Sequence, residues 1–326
     1  MGAIDQYLDL WQEHGELIDS KAPEVLNRLR PEAASSLIEQ GLPTLKDENY
    51  RHTDMEKILS PDYGVNVGRV KIDVNPWQTF RCDVPMLSTS LFLIVNDAFA
   101  ETAGCRDLLP EGVEVMSLAA YGRINPEFID EHYGRLADIN NPIVALNTLF
   151  CQDGIVIRVC KGVKVDSTIQ IVNIFKNSAP LLAARRVLIV MEEDSEAKIL
   201  VCDHTQTQDV NFCSVQVVEI YAGERSHLDF YDLEESTRRT SRLSSLWLRQ
   251  EADSEVLLDS ITLYNGTTRN EFFTRFAGGH ARLHMLGMGI EDDARRLDTY
   301  SKICHDVPEC NTDELFKYVV DGDAMG

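Results

Sequence analysis

Between Asp153 and Gly289 short apolar segments arrive in pairs, and the pairs recur about every 28 residues. Val187-Leu188-Ile189-Val190, Val215-Gln216-Val217-Val218, Leu243-Ser244-Ser245-Leu246 and Phe272-Phe273-Thr274-Arg275 stand at one phase, their starts 28, 28 and 29 residues apart. A second phase follows each of them: Ile199-Leu200-Val201, Leu228-Asp229-Phe230, Val256-Leu257-Leu258 and Leu283-His284-Met285. Between the phases lie small or polar turns, Asp194-Ser195, Ala222-Gly223-Glu224, Ala252-Asp253-Ser254 and Gly278-Gly279-His280. Ile155 to Val159 and Ile169 to Phe175 extend the scheme upstream, with Asp166-Ser167 at the turn, for about five repeats. The segments are too short for helices. Each unit reads as strand, tight turn, strand and a longer polar connection such as His204 to Asn211 or Glu234 to Ser241. One such unit cannot bury its apolar face alone, whereas stacking it on the next builds a continuous core and pairs every interior strand. The pattern predicts a mainly β protein with a parallel β-helix core. An antiparallel meander or sandwich competes, but sandwich strands rarely keep a constant two-strand period.

Upstream the period changes. Ile4, Leu8, Trp11 and Ile18 fall at helical spacing, Pro23 opens a second helical segment with Val25, Leu26 and Leu29, and a third runs from Pro31 to Gly41. The chain divides into a helical region over 1–60, a mixed lead-in over 61–150, and the β-helix over 151–326. In the lead-in, Leu91 to Val95 is the best buried strand, Ser117 caps a helix, and Asn140-Asn141-Pro142 makes a turn before Val144 to Phe150. Leu42 to Thr53 mixes basic and aromatic side chains, but its local charge is nearly balanced and a packed surface segment is the expected role.

Composition narrows the function. With 31 basic against 53 acidic residues the formal charge is −22, which opposes nucleic acid and anionic membranes as partners. No apolar run reaches transmembrane length and Met1 to Leu10 does not read as a signal peptide, so a cytoplasmic protein is expected. The eight cysteines include no C-x-x-C pair, and most read as small buried apolar residues. Nucleotide loops, H-E-x-x-H, G-x-S-x-G and dinucleotide fingerprints are absent. Asn265-Gly266-Thr267 reads as a turn. Glu192-Glu193-Asp194 and Asp292-Asp293 invite comparison with the paired acids of a polysaccharide-cleaving β-helix. Adjacent strand residues point to opposite faces, however, so solvated turn acids are the better account. Cys304, His305 and Cys310 form the chemically richest stretch, offering soft and borderline ligands to a metal site; a strand packed on its neighbour is the alternative.

Four stretches together resemble the SufB/SufD family of iron–sulfur cluster assembly scaffold proteins, and SufD more closely than SufB because no cysteine-rich N-terminal motif appears. These are Gly41-Leu42-Pro43 with Lys46, Glu48, Tyr50, Arg51 and Thr53; Leu146-Asn147 and Phe150 followed by Gly154 to Ile157 and Lys161-Gly162-Val163; the solenoid; and Asp298, Ser301, His305, Pro308, Cys310, Asn311, Glu314, Lys317 and Asp321. The resemblance implies a right-handed parallel β-helix and a non-enzymatic scaffold subunit. It would pair with a SufB-like paralogue and work with a SufC-like ATPase, a cluster passing transiently through the full complex with no cofactor tightly bound in this chain. Cys304, His305 and Cys310 are then candidates for the cluster-proximal face. Family members continue beyond the position of Gly326 with further rungs, a Cys-Ser-His-Gly-like motif, C-terminal helices and the SufC-docking surface. The chain is therefore expected to be an N-terminal portion, its β-helix incomplete at the C-terminal end. The alternatives are a β-helix polysaccharide lyase or hydrolase and a homodimerising structural solenoid.

Overall fold

The computed structural model describes residues 2–72, 90–100 and 109–326; parts of the lead-in, with Cys82 and Cys105, lie outside the described residues. From Ile155 onward the chain alternates between two sheets. Sheet I holds β5 (Ile155–Val159), β7 (Leu181–Met191), β9 (Phe212–Ala222), β11 (Thr240–Gln250), β13 (Thr267–Phe276) and β15 (Arg296–His305). Sheet II holds β6 (Ile169–Phe175), β8 (Glu196–Thr205), β10 (His227–Glu235), β12 (Glu255–Tyr264), β14 (Arg282–Glu291) and β16 (Asn311–Val320). Neighbours within each series pair in parallel, as a coil that deposits one strand per sheet per turn requires. The result is the parallel β-solenoid that the repeat predicts, about six turns rather than five. Its first rung is flanked by β4 (Val113–Ser117), antiparallel to β5, and by β2 (Ser90–Val95), parallel to β6 and itself paired antiparallel with β3 (Ala98–Ala100). β1 (Gly64–Val65) adds to β7.

The register departs from the sequence period. The recurrence aligns Val187 with Val215 and Leu243 with Phe272, whereas the strands pair Val187 with Val218 and Leu246 with Phe272. Each slip is three residues, and an odd slip turns a side chain to the opposite face of the sheet. The connections absorb it: 206–211 between β8 and β9 is long, while Asn265-Gly266 between β12 and β13 is short.

The tight turns stack as a column. Gly162, Asp194, Arg225, Asp253, His280 and Glu309 all have φ between 56° and 72°, a conformation that a non-glycine residue adopts only under constraint. The constraint is the next rung: the N–H of Asp194 donates to Glu224 O, that of Arg225 to Ala252 O, and that of Asp253 to Gly279 O. At Gly278 a Cβ would lie 2.0 Å from the Ala252 nitrogen, so the stacked turns leave no room for one. In the first rung the left-handed residue is Gly162 rather than Asp166-Ser167, because the chain runs on to bridge Lys164 to Glu196 before β6 begins.

Inward side chains form two lanes. Val187, Ile189, Val218 and Ile220 of sheet I meet Ile199, Val201, Leu228 and Phe230 of sheet II in an apolar lane. Beside it runs a polar lane: Asp203 lies 2.7 Å from Arg185 and 2.8 Å from Arg242, and Arg242 lies 2.5 Å from Asp232. Arg185 also sits 4.1 Å over the Phe175 ring, and Glu234 accepts from Ser236 and Thr268. Burial opposes ionisation of Asp203, yet the two guanidinium groups hold its carboxyl below the usual range. Burial pushes the Glu234 carboxyl up to about 7. Burial also pushes the Asp232 carboxyl up, against the pull of Arg242, so of these three acids Asp203 is the one held below its usual range.

Helices cover the outside of sheet I. α1 (Ala3–Lys21), α2 (Glu24–Asn27), α3 (Arg30–Gln40) and α4 (Met55–Leu59) bear out the helical N-terminal region, and α5 (Leu118–Ile124), α6 (Pro126–His132) and α7 (Pro142–Phe150) follow in the lead-in. The serine and asparagine expected to punctuate the lead-in act as caps, Ser117 accepting from the Ala120 amide and Asn141 from those of Ile143 and Val144. Ile143, Leu146 and Leu149 of α7 bury against outward residues of sheet I, among them Leu182, Val215, Val217 and Leu243. Among the described residues no helix is long and apolar enough to cross a membrane.

Candidate functional site

Two polar clasps fasten the helical layer to sheet I, and the surfaces between and beside them are the chemically equipped part of the molecule. In the first, Arg186 and Glu219 stand on adjacent strands facing outward, 2.6 Å apart and fully buried. Glu219 also accepts from the backbone amides of Gly134, Leu136 and Ala137, at 2.8, 3.0 and 3.2 Å. These three amides and Arg186 give the buried carboxylate oxygens partners within the protein. Arg186 in turn lies 4.5 Å over the Tyr133 ring and donates to Asn147, whose amide reaches the backbone of both β7 and β9. Arg30 of α3 completes the join by donating to the carbonyls of Leu149 and Cys151, each at 2.6 Å, which the end of α7 leaves open.

The second clasp lies further along the solenoid. Glu271 accepts from Tyr50 and Asn141, both at 2.7 Å, and pairs with Arg269 at 3.2 Å. Arg269 lies 2.6 Å from Asp298, which accepts from Thr53, and its guanidinium sits between the Tyr50 and Tyr300 rings at 4.7 and 5.4 Å. Two stretches that the sequence singles out, around Tyr50 and around Asp298, are thus brought into contact. The Leu42 to Thr53 stretch is a packed surface segment, anchored by buried Tyr50 and Thr53 while Thr44 to Asn49, Arg51 and His52 are exposed.

Beyond this clasp the outer face of sheet I carries a cavity of about 410 Å³. Its floor is Trp247 stacked on Phe273 at 4.0 Å, and its walls include Arg249, Arg275, Lys302 and Cys304. The arginines are engaged, Arg249 with Glu251 and Arg275 with Asp306.

The three residues singled out for metal chemistry occupy different places. Cys304 lies opposite Arg275 on the outer face and lines this cavity. His305, next along the strand, faces inward, its ring 4.7 Å from Phe276 and its Nε2 3.3 Å from the Thr312 hydroxyl. Cys310 packs on the core rim with its thiol donating to Gly278 O. Among the described residues no group of three or more His, Cys, Asp or Glu is placed to hold a metal ion. Of the other thiols, Cys151, Cys202 and Cys213 are buried, as small apolar residues would be. The paired acids are turn residues: Glu192 holds Arg158 at 2.6 Å, Asp194 binds Arg225, and Asp293 binds Arg238.

Sequence reasoning missed the clasps. The signal of the first was Arg186 and Glu219 within strands of otherwise apolar character, because a charge retained in a buried strand must have a partner.

Comparison with known proteins adds the family. The model of the SufBD protein N-terminal region matches residues 1–171, and that of the SufBD core domain, described as SUF system FeS cluster assembly, matches residues 174–326. The chain belongs to the SufBD family. The boundary between the two SufBD matches falls within β6, at the first full rung of the solenoid. An iron–sulfur cluster assembly SufBD family protein of Synechocystis sp. is 23% identical over 98% of this chain and 71% of its own length. The chloroplastic protein ABCI7 of Arabidopsis thaliana is 23% identical over 90% of this chain and 62% of its own length. The chain thus spans between about three fifths and three quarters of these relatives.

Proposed function

We propose that this SufBD chain is a SufD-like scaffold subunit of the SUF iron–sulfur cluster assembly system, pairing with a SufB-like paralogue and acting with a SufC-like ATPase in the cytoplasm. The observation that carries this reading is the coincidence of the solenoid with the core-domain match over 174–326, whose description names that system. The absence of nucleotide loops from the sequence suits a subunit whose partner hydrolyses ATP. The chain's own part is rigid presentation: stacked strands hold the outer face of sheet I in place, and the two clasps fix the helical layer to it. The cluster is cargo, formed where subunits meet. Cys304 offers an outward thiol to such a joint site, with His305 and Cys310 at the adjoining rung edge. Anaerobic reconstitution tests this. The chain is mixed with SufB-like and SufC-like proteins, iron, a sulfide donor and ATP, and cluster absorbance is followed. Absorbance that requires this chain, and that weakens in Cys304→Ala, His305→Ala or Cys310→Ala, is expected. Equal absorbance without the chain would remove the scaffold role, and unchanged yields in all three variants would remove these residues from it.

A further inference from the structure

On the other side of the second clasp from the Trp247 cavity, where the Leu42 to Thr53 segment and α4 meet sheet I, lies a cavity of about 380 Å³. Its walls carry three cations, Arg51, Lys57 and Arg296, and an apolar group, Leu45, Ile58 and Pro61. Three cations in one cavity are unusual on a chain with a formal charge of −22. Elsewhere the described arginines are mostly engaged by carboxylates, as at Arg158, Arg225, Arg249 and Arg275. Among the described residues, Arg51, Lys57 and Arg296 have no carboxylate at ion-pair distance. Arg51 donates its Nε to His52 at 2.9 Å, which orients the guanidinium while leaving its charge uncompensated, and Arg296 meets the Met325 sulfur. One acid also lines the cavity, Asp54, which caps α4 through the Lys57 amide at 3.0 Å, so the cations outnumber the acid three to one. The Thr53 hydroxyl, donating to Asp298, ties this wall to the second clasp, so the cavity is framed by fixed structure.

We propose that this cavity binds a phosphate-bearing small molecule, the phosphate held by Arg51, Lys57 and Arg296 and the organic part resting on Leu45, Ile58 and Pro61. A phosphate carries close to two charges and three terminal oxygens, and so makes use of three cations where a carboxylate is satisfied by one or two. Guanidinium groups match its oxygens in pairs, and the cavity volume lies in the range of small-molecule sites. The assembly role does not predict this site, and the site can be tested on the isolated chain.

The experiment is calorimetric titration of the chain with inorganic phosphate, phenyl phosphate and benzoate at low and at physiological salt. Phosphate should bind, more weakly as salt rises. Phenyl phosphate should bind more tightly than phosphate, and benzoate more weakly than phenyl phosphate. The double variant Arg51→Ala/Arg296→Ala should lose about tenfold or more in phosphate affinity, since each charged hydrogen bond contributes roughly a factor of ten. Its melting temperature should stay close to that of the parent, because both side chains are exposed. Leu45→Ser should weaken phenyl phosphate while sparing phosphate. The proposal is overturned if neither phosphate binds at millimolar concentration, or if the double variant binds both as the parent does. Binding of a poly-glutamate peptide with no binding of either phosphate would equally overturn it, making the patch a docking surface for acidic protein.

Discussion

Sheets I and II are laid down by the same coil, yet the outward positions of their strands meet opposite surroundings. On sheet I, Leu182, Val215, Val217 and Leu243 disappear beneath helices, and the charges among them, Arg186, Glu219, Arg269 and Glu271, are buried in clasps. On β14 and β16 of sheet II the outward positions stay open: Met288 and Ile290 are 40% and 43% exposed, and Leu315 and Val319 49% and 65%. Backbone pairing is the same in both. The repeat therefore determines the coil, and the outward residues alone determine which flank is built upon. It follows that equal substitutions on the two flanks should have unequal costs.

The largest effect is expected at Glu219. Replacing it with alanine strands three backbone amides and leaves Arg186 buried without its counter-charge, a loss of about 3–5 kcal/mol. Chemical denaturation should show that loss, and limited proteolysis should find the helical region released before the solenoid is cut.

Glu234 in the polar lane gives a pH signature. Its carboxyl is raised from an ordinary 4.5 to about 7 by burial, so the folded chain keeps a proton that the unfolded chain gives up. Its contribution is therefore complete below about pH 4.5 and is lost as pH rises through about 7, on the order of 3 kcal/mol in all. Glu234→Gln should flatten that part of the stability profile and make the protein more stable than the parent at pH 8; a profile identical to the parent's would refute the assignment.

A smaller effect attends Tyr50→Phe, which removes one of the hydrogen bonds to Glu271 while Arg269 and Asn141 remain, at about 1 kcal/mol in thermal denaturation. Val319→Ser on the open flank should sharpen the comparison by changing stability by less than about 0.5 kcal/mol.

How much of this could be read from the chain follows from the same contrast. The strands and turns were legible because paired apolar segments and small residues recur locally, and Asn265-Gly266 and the turn acids could be assigned from neighbours alone. The register was not, because the connections differ in length and a three-residue slip leaves the apolar count of each strand almost unchanged while reversing its faces. The left-handed turn column was hidden too, since Asp194, Arg225, His280 and Glu309 occupy positions where glycine would have announced it. At the candidate site, Thr53 and Asp298 lie 245 residues apart, and no local pattern joins them. Arg185-Arg186 were visible as charges in an apolar strand, but one turns to the polar lane and the other to the helices, a division that only the register reveals.

The central claim is that this chain works as a subunit held to partners. The most direct measurement is co-expression with SufB-like and SufC-like proteins, followed by size-exclusion light scattering of whatever co-purifies. The account predicts a complex whose mass requires this chain together with the SufB-like protein. A chain that elutes alone at its own mass in the presence of both partners would contradict it.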